Sequence, residues 1–269
     1  GRKFTTNGYV GKYVFAHNDG LINLDIRSVI LGEYMFETDT NLELLSVPEK
    51  VTAIRDYAFT NCDKLSDITF HNRLVGKWMF YDCEIIPFID LSHLNTSKVT
   101  DMSWMFYGCG SVVNMDLSHF DTSSVTDMNH MFAECQSLPS LDLRSFNTSN
   151  VERMHDMFAF CYNLTNLDLT SFNTSAVRYM DYMFASCTSL HTLNLSSFDT
   201  SNVEDMEGMF NHCSSLTTIF GTNWDTSKVV HRSQSTTASL FHDCYKLTGG
   251  NGTRWYRAME GDEVYCRID

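Results

Sequence analysis

The sequence predicts a solenoid, an α/β repeat in which short parallel strands stack into one sheet. Three observations predict it: a motif that returns every 21 to 26 residues, a leucine pattern of strand period inside each copy, and no linker between copies. Phe106, Phe132, Phe158, Phe184 and Phe210 stand 26 apart, and Phe80 extends the series backwards. Three residues after each comes a cysteine: Cys83, Cys109, Cys135, Cys161, Cys187 and Cys213. Met102, Met128, Met154, Met180 and Met206 keep the same phase, as do Val99, Val125, Val151, Val177, Val203 and Val229. Upstream, Tyr13-Val14-Phe15, Tyr34-Met35-Phe36, Tyr57-Ala58-Phe59 and Trp78-Met79-Phe80 are one motif, with phenylalanine spacings of 21, 23 and 21. Downstream, Phe241-x-x-Cys244-x-x-Leu247 repeats it after 31 residues. Ten rungs follow, anchored at Phe15, Phe36, Phe59, Phe80, Phe106, Phe132, Phe158, Phe184, Phe210 and Phe241.

Each rung divides into two halves. In the rung from Leu138 to Cys161, Leu141 and Leu143 alternate with polar residues, the period of a half-buried strand. Val151, Met154, Met157 and Phe158 recur at helical spacing over about two turns. Ser149 with Glu152, and Ser201 with Glu204, have the spacing of a capping box, so a short helix is expected there. One rung is too small to bury its apolar face alone; stacked rungs cover one another, with parallel strands about 4.8 Å apart. Leu-x-x-Leu-x-Leu at this period is the leucine-rich-repeat pattern. The expected fold is therefore a leucine-rich-repeat solenoid, with a concave parallel sheet of about ten short strands and a convex side of short helical turns and loops. It reads as a single domain over residues 1–269: short rungs over about 10–80, mainly 26-residue rungs over 81–247, and a closing segment over 248–269. The early rungs lack the Phe-Asn-Thr-Ser insert, which predicts thinner rungs and a change of curvature near residue 90.

Composition narrows the function classes. The net charge of −14 argues against nucleic acid as a partner, because a phosphate backbone calls for a basic footprint. No apolar run approaches the roughly 18 residues of a membrane span. The start, Gly1-Arg2-Lys3-Phe4, has no apolar stretch and reads as a trimmed mature chain, with any signal or anchor outside it.

The unit Ile54-Arg55-Asp56-Tyr57-Ala58-Phe59-Thr60-Asn61-Cys62-Asp63-Lys64-Leu65 and the unit Phe146-Asn147-Thr148-Ser149-Asn150-Val151 resemble bacterial surface leucine-rich-repeat proteins of the BspA-like kind. The first is similar to the short, treponemal-type unit. The second is similar to the longer unit that continues through Met154, Met157, Phe158 and Cys161. The resemblance covers about residues 10–248. The tail from Leu247 to Thr253, ending Tyr265-Cys266-Arg267-Ile268-Asp269, resembles the segment that closes such arrays, with Cys266 where a small apolar residue is expected. The resemblance implies a secreted or cell-wall bacterial protein, and for some members adhesion to host matrix proteins. It transfers no binding residue, because the motif consists of core positions.

Eight of the nine cysteines share one repeat position beside core phenylalanines and leucines, which a ladder of buried thiols explains. Disulfides between neighbouring rungs and metal binding are the alternatives, though no C-x₂₋₄-C pair is present. Ten of the fourteen methionines follow the core stripe. The histidines share no column except His93 and His119, with His71 nearby, and read as solvated polar residues; no metal site is assigned. No nucleophile elbow, phosphate loop or H-E-x-x-H occurs, so neither an enzyme nor a cofactor is expected.

The expected function is recognition of a protein or glycan, with a host matrix protein as one candidate, through the concave face. A non-binding spacer that holds another domain off the cell surface is the alternative. Ten residues beyond the motif phenylalanines lie Asp25, Ser46, Thr69, Asp90, Asp116, Asp142, Asp168, Asn194 and Phe220. Each falls between buried positions and so faces outward at mid-strand. Asp90, Asp116, Asp142 and Asp168 would form an acidic stripe whose like charges repel, at some expense in stability. Asn194 continues that column, and Phe88 and Phe220 are aromatic departures from the repeat.

Overall fold

The computed structural model describes residues 11–18, 23–25, 30–39, 41–47, 53–54, 56–62, 67–70, 77–84, 91, 94–221, 224–225, 227–229 and 240–247. The strands among them are short: β1 (Asn23–Asp25), β2 (Ile30–Leu31), β3 (Leu44–Val47), β4 (Ala53–Ile54), β5 (Asp67–Phe70), β6 (Ser140–Leu141), β7 (Asn166–Leu167), β8 (Thr192–Asn194) and β9 (Thr218–Phe220). All pair in parallel: β1-β3-β5, β2-β4, β6-β7 and β8-β9. A second line of contact runs through single parallel bridges joining Asp101, Asp127, Arg153, Tyr179 and Asp205. The proposed change of curvature near residue 90 lies outside the described residues, as does the closing segment.

The core is a set of side-chain ladders. The ten motif phenylalanines stack ring on ring from Phe15 to Phe241, with centroids 5.3 to 5.9 Å apart and planes within 18° of parallel. That is the offset-stacked range for aromatic pairs. Val151, Met154, Met157, Leu138, Leu141 and Leu143, with their counterparts in adjoining rungs, are buried around the stack. One apolar cluster runs from Phe15 to Leu247.

The turn side of the rungs is where the structure departs from the sequence reading. Among the described residues there is no helix; the segment at helical spacing is a chain of turns. In the rung at 128–135, the N–H groups of Met131, Ala133 and Cys135 donate within the rung to Met128, His130 and Phe132, each at 3.2 Å. The alternate N–H groups cross to the next rung: Met128 to Arg153 at 3.0 Å, His130 to His155 at 2.8 Å, Phe132 to Met157 at 3.0 Å and Glu134 to Ala159 at 2.8 Å. The rungs recur at close to strand spacing, whereas packed helices need 8–10 Å between axes. A helix also directs its N–H groups along itself and has none to offer a neighbour. Turns satisfy both demands. The capping boxes accordingly do not form: the Ser149 N–H is accepted by Asn147 Oδ1 at 3.1 Å, and the Glu152 N–H reaches Thr126 O at 2.9 Å.

Every described residue of positive φ falls in one of two columns. One runs through Tyr13, Tyr34, Tyr57, Trp78, Trp104, His130, Asp156, Tyr182 and Gly208; the other through His17, Thr38, Asn61, Asp82, Gly108, Glu134, Phe160, Ser186, His212 and Asp243. Most are not glycine, and a left-handed L-residue costs about 1–2 kcal/mol. The hydrogen bonds between rungs hold them there.

Buried polar groups form ladders too. Thr96, Thr122, Thr148, Thr174 and Thr200 are at most 1 % exposed. Thr148 Oγ1 donates to Asn173 O at 2.9 Å and accepts from the Asn173 N–H at 2.8 Å, and the other four repeat this bridge. The eight described motif cysteines are buried. Each thiol donates to the carbonyl of the preceding rung's phenylalanine, as Cys135 Sγ does to Phe106 O at 3.2 Å and Cys161 Sγ to Phe132 O at 3.1 Å. Cys266 lies outside the described residues.

Candidate functional site

The strand face carries the outward column expected from the sequence at Asp116, Asp142, Asp168, Asn194 and Phe220. Asp25, Ser46 and Thr69 are in register across β1, β3 and β5, and Asn194 is in register with Phe220 across β8 and β9. Asp116, Asp142, Asp168 and Asn194 are exposed, while Met115, Leu117, Leu141, Leu143, Leu167, Leu169, Leu193 and Leu195 beside them are buried. Phe220 is 56 % exposed, a large apolar surface at the end of a polar column. Phe88 and Asp90 lie outside the described residues. Between Asp142 and Asp168 lies a shallow groove of about 280 Å³, lined by Ser140, Leu141, Asp142, Arg144, Asn166 and Asp168.

Two details correct the sequence reading. Asp142 and Asp168 sit one residue beyond β6 and β7 rather than at mid-strand. There each side chain closes a turn: Oδ1 of Asp116, Asp142, Asp168 and Asn194 accepts the N–H two residues on, at 3.0 to 3.2 Å. The second detail is electrostatic. Mutual repulsion would raise these carboxyls, yet all three aspartates are held below the usual carboxylate range. For Asp116 the cause is chiefly the Ser118 N–H; for Asp168, the Thr170 hydroxyl. Asp142 comes down to about 2, first through the Arg144 guanidinium, which grips it at 2.6 and 2.9 Å. The column is a ladder of turn-closing acceptors, partly neutralised by Arg144.

The turn edge holds a cluster that the sequence reading missed. Tyr13, Tyr34, Tyr57, Trp78 and Trp104 form a second aromatic ladder along the first positive-φ column, ending where the Trp104 ring stacks on His130 at 3.6 Å. Beyond His130 the column turns acidic at Asp156, and His155 stands between Asp156 and Asp181. Burial holds the His130 imidazole down at about 4. Burial acts on His155 in the same direction, but hydrogen bonds to Asp156 and Asp181 outweigh it and push the ring up to about 10. The signal was available: His155-Asp156 lies 25 and 26 residues after His130, one rung on. The expected pair of His93 and His119 gives no such cluster among the described residues. His119 Nε2 instead contacts Leu91 O at 2.6 Å, and His71 and His93 lie outside them.

With this geometry in hand, two family models account for most of the chain. That described as "Mycoplasma protein of unknown function, DUF285" matches residues 76–189 and 141–245. The chain belongs to the DUF285 family. Its first part, residues 5–87, matches the BspA type leucine-rich-repeat region in six copies, as the short units imply. Similar solved structures include a leucine-rich repeat protein of T. pallidum, at 20 % identity over 67 % of this chain and 70 % of that one, with a TM-score of 0.40. One from Bacteroides ovatus has 18 % identity over 87 % and 75 %, with a TM-score of 0.44. One from Eubacterium ventriosum has 14 % identity over 90 % and 83 %, with a TM-score of 0.37. Among curated proteins nothing matches the chain. This DUF285 protein is thus a leucine-rich-repeat protein whose first part is of the BspA type, an architecture whose extended face suits interaction with proteins. Among its described residues no helix is long and apolar enough to cross a membrane.

Proposed function

We propose that this DUF285 protein is an extracellular recognition module of the bacterial surface, binding a protein or glycan ligand through its strand face. The observation that supports this most is Phe220, 56 % exposed on β9 and in register with Asn194. An exposed phenylalanine at the end of a polar, partly anionic column is a ready anchor for a partner with an apolar residue beside basic ones. Asp116, Asp142 and Asp168 supply the anionic part, and Phe88 and Asp90 are proposed to extend it.

A spacer without a ligand is the second reading, favoured by one observation: the aspartates each spend Oδ1 on closing their own turn, and Arg144 occupies Asp142. The two readings separate in a binding experiment on the purified chain with immobilised host matrix proteins. Recognition predicts binding that weakens with salt and drops at least tenfold in Phe220→Ala and in Asp116→Asn with Asp142→Asn. Binding indifferent to salt and to both variants would remove the strand face as the site.

A further inference from the structure

The turn edge offers a chemistry the strand face does not use. His130 occupies the left-handed position of one rung, and His155-Asp156 brings a second imidazole and a carboxylate to that position one rung on. One donor atom from each of the three lies within 4.8 Å of the others. His155 Nε2 is 2.8 Å from Asp156 Oδ2, and His130 Nδ1 is 3.7 Å from the same oxygen. The two imidazoles meet edge to face at 4.6 Å. On the far side, His155 Nδ1 is hydrogen-bonded to Asp181 Oδ2 of the following rung. A carboxylate on one imidazole nitrogen is what fixes the tautomer of a metal-binding histidine, leaving the other nitrogen aimed at the ion.

The backbone holds these donors in place. The His130 N–H donates to His155 O at 2.8 Å, the His155 N–H to Asn129 Oδ1 at 2.9 Å, and the Asp156 N–H to Asp181 O at 3.0 Å. Trp104 covers the His130 ring. The three side chains are 16 to 32 % exposed, sheltered yet open to solvent.

The same construction recurs in the second column. His212 is in the left-handed position, and His242-Asp243 follows on the next rung with Asp243 left-handed in turn. Their donor atoms also lie within 4.8 Å of one another. His212 Nδ1 is 2.9 Å and His242 Nδ1 3.4 Å from Asp243 Oδ2, and the rings again meet edge to face, at 5.3 Å. His242 Nδ1 is buried without a hydrogen bond.

We propose that His130, His155 and Asp156 bind a divalent transition-metal ion of the zinc class, and that His212, His242 and Asp243 form a second copy of the site. Two imidazoles and one carboxylate suit zinc and its neighbours, whereas calcium and magnesium ask for oxygen ligands throughout. Three protein donors leave a coordination position for water. The competing role for the first cluster is an ion network, with an imidazolium held between Asp156 and Asp181.

Calorimetric titration of the full chain, stripped by chelator and given Zn²⁺ alone, separates the two. The expected result is saturable binding of two ions, of one ion in His155→Gln or His242→Gln, and of none in the double variant. Circular dichroism melts check that each variant keeps its fold. A second readout needs no variant: Co²⁺ on the unaltered chain should give visible d–d absorption without a thiolate charge-transfer band, placing the ion on nitrogen and oxygen rather than on the cysteine ladder. The proposal is overturned by a lack of saturable Zn²⁺ binding to the unaltered chain, by undiminished binding in the folded double variant, or by a thiolate band with Co²⁺.

Discussion

At the scale of single residues, side chains here act mostly on the backbone of a neighbouring rung. Each motif cysteine is small, apolar and a weak donor, so it fills core space while serving a carbonyl that faces it. Burial pushes the thiols of Cys161 and Cys244 up to about 12, and raises those of Cys109, Cys135, Cys187 and Cys213 well above the ordinary thiol range. Near neutral pH almost no thiolate is present, so alkylating reagents should label few of the eight in the native protein and most after unfolding. Rapid native labelling of five or more would contradict the buried ladder. The turn-closing aspartates make a different prediction. Asp116, Asp121, Asp142, Asp168, Asp199 and Asp225 are all lowered by donors from their own turns or from Arg144. A depressed carboxyl adds stability above its unfolded value of 3.8 and loses it as pH falls through the folded value, about 2 for Asp142. Asp127, raised by burial, works in the opposite direction. The melting temperature should therefore fall between about pH 4 and pH 2, with a smaller fall in Asp142→Asn. An Asp142→Asn protein that is more stable than the parent at pH 7 would restore the repulsion account.

At the scale of the element, the turn segment carries the fold as much as the strands do. Its left-handed positions tolerate Trp104, His130 and Tyr182 because the alternate N–H groups are captured by the next rung. Gly208 is a special case. Its φ is +57°, and a Cβ there would lie 2.3 Å from Tyr182 Cε1 and 2.7 Å from Cδ1. Tyr182 in turn holds Glu207 through its hydroxyl at 2.9 Å. Gly208→Ala should cost about 1–3 kcal/mol, from the left-handed backbone and the displaced ring together. Urea denaturation would measure it, and a neutral result would mean that Tyr182 swings aside freely. The helix expectation failed on this same element. Apolar residues at i, i+3, i+6 and i+7 are common to a helix and to a run of linked turns, so Val151, Met154, Met157 and Phe158 read correctly as core and wrongly as helix.

Across the whole molecule, stability is a sum over rungs and the contacts between them. Phe158 illustrates the coupling, with ring centroids 5.8 Å from Phe132 and 5.7 Å from Phe184. Phe158→Ala opens the stack on both sides and should cost about 3–5 kcal/mol. The unfolding transition should also broaden as the array on either side of that rung loses its link. A change under about 1 kcal/mol would show that the phenylalanine column does not carry the core.

The sequence by itself determined the number and phase of the rungs, the residues of the core, and which strand positions face outward. Each of those rests on periodicity, and a stacked repeat converts periodicity directly into position. Asp116, Asp142, Asp168, Asn194 and Phe220 were legible as one exposed column for that reason. Tertiary structure alone decided what closes each rung, because helix and turn share a residue pattern and only the spacing between rungs tells them apart. It also decided the role of the aspartates, which depends on a backbone N–H two residues away and on the reach of Arg144. The histidine clusters were only half legible: the spacing of one rung from His130 to His155-Asp156 is in the sequence, but the meeting of the side chains is not. His155 is one position out of column with His130, and only the folded turns show their rings meeting edge to face at 4.6 Å.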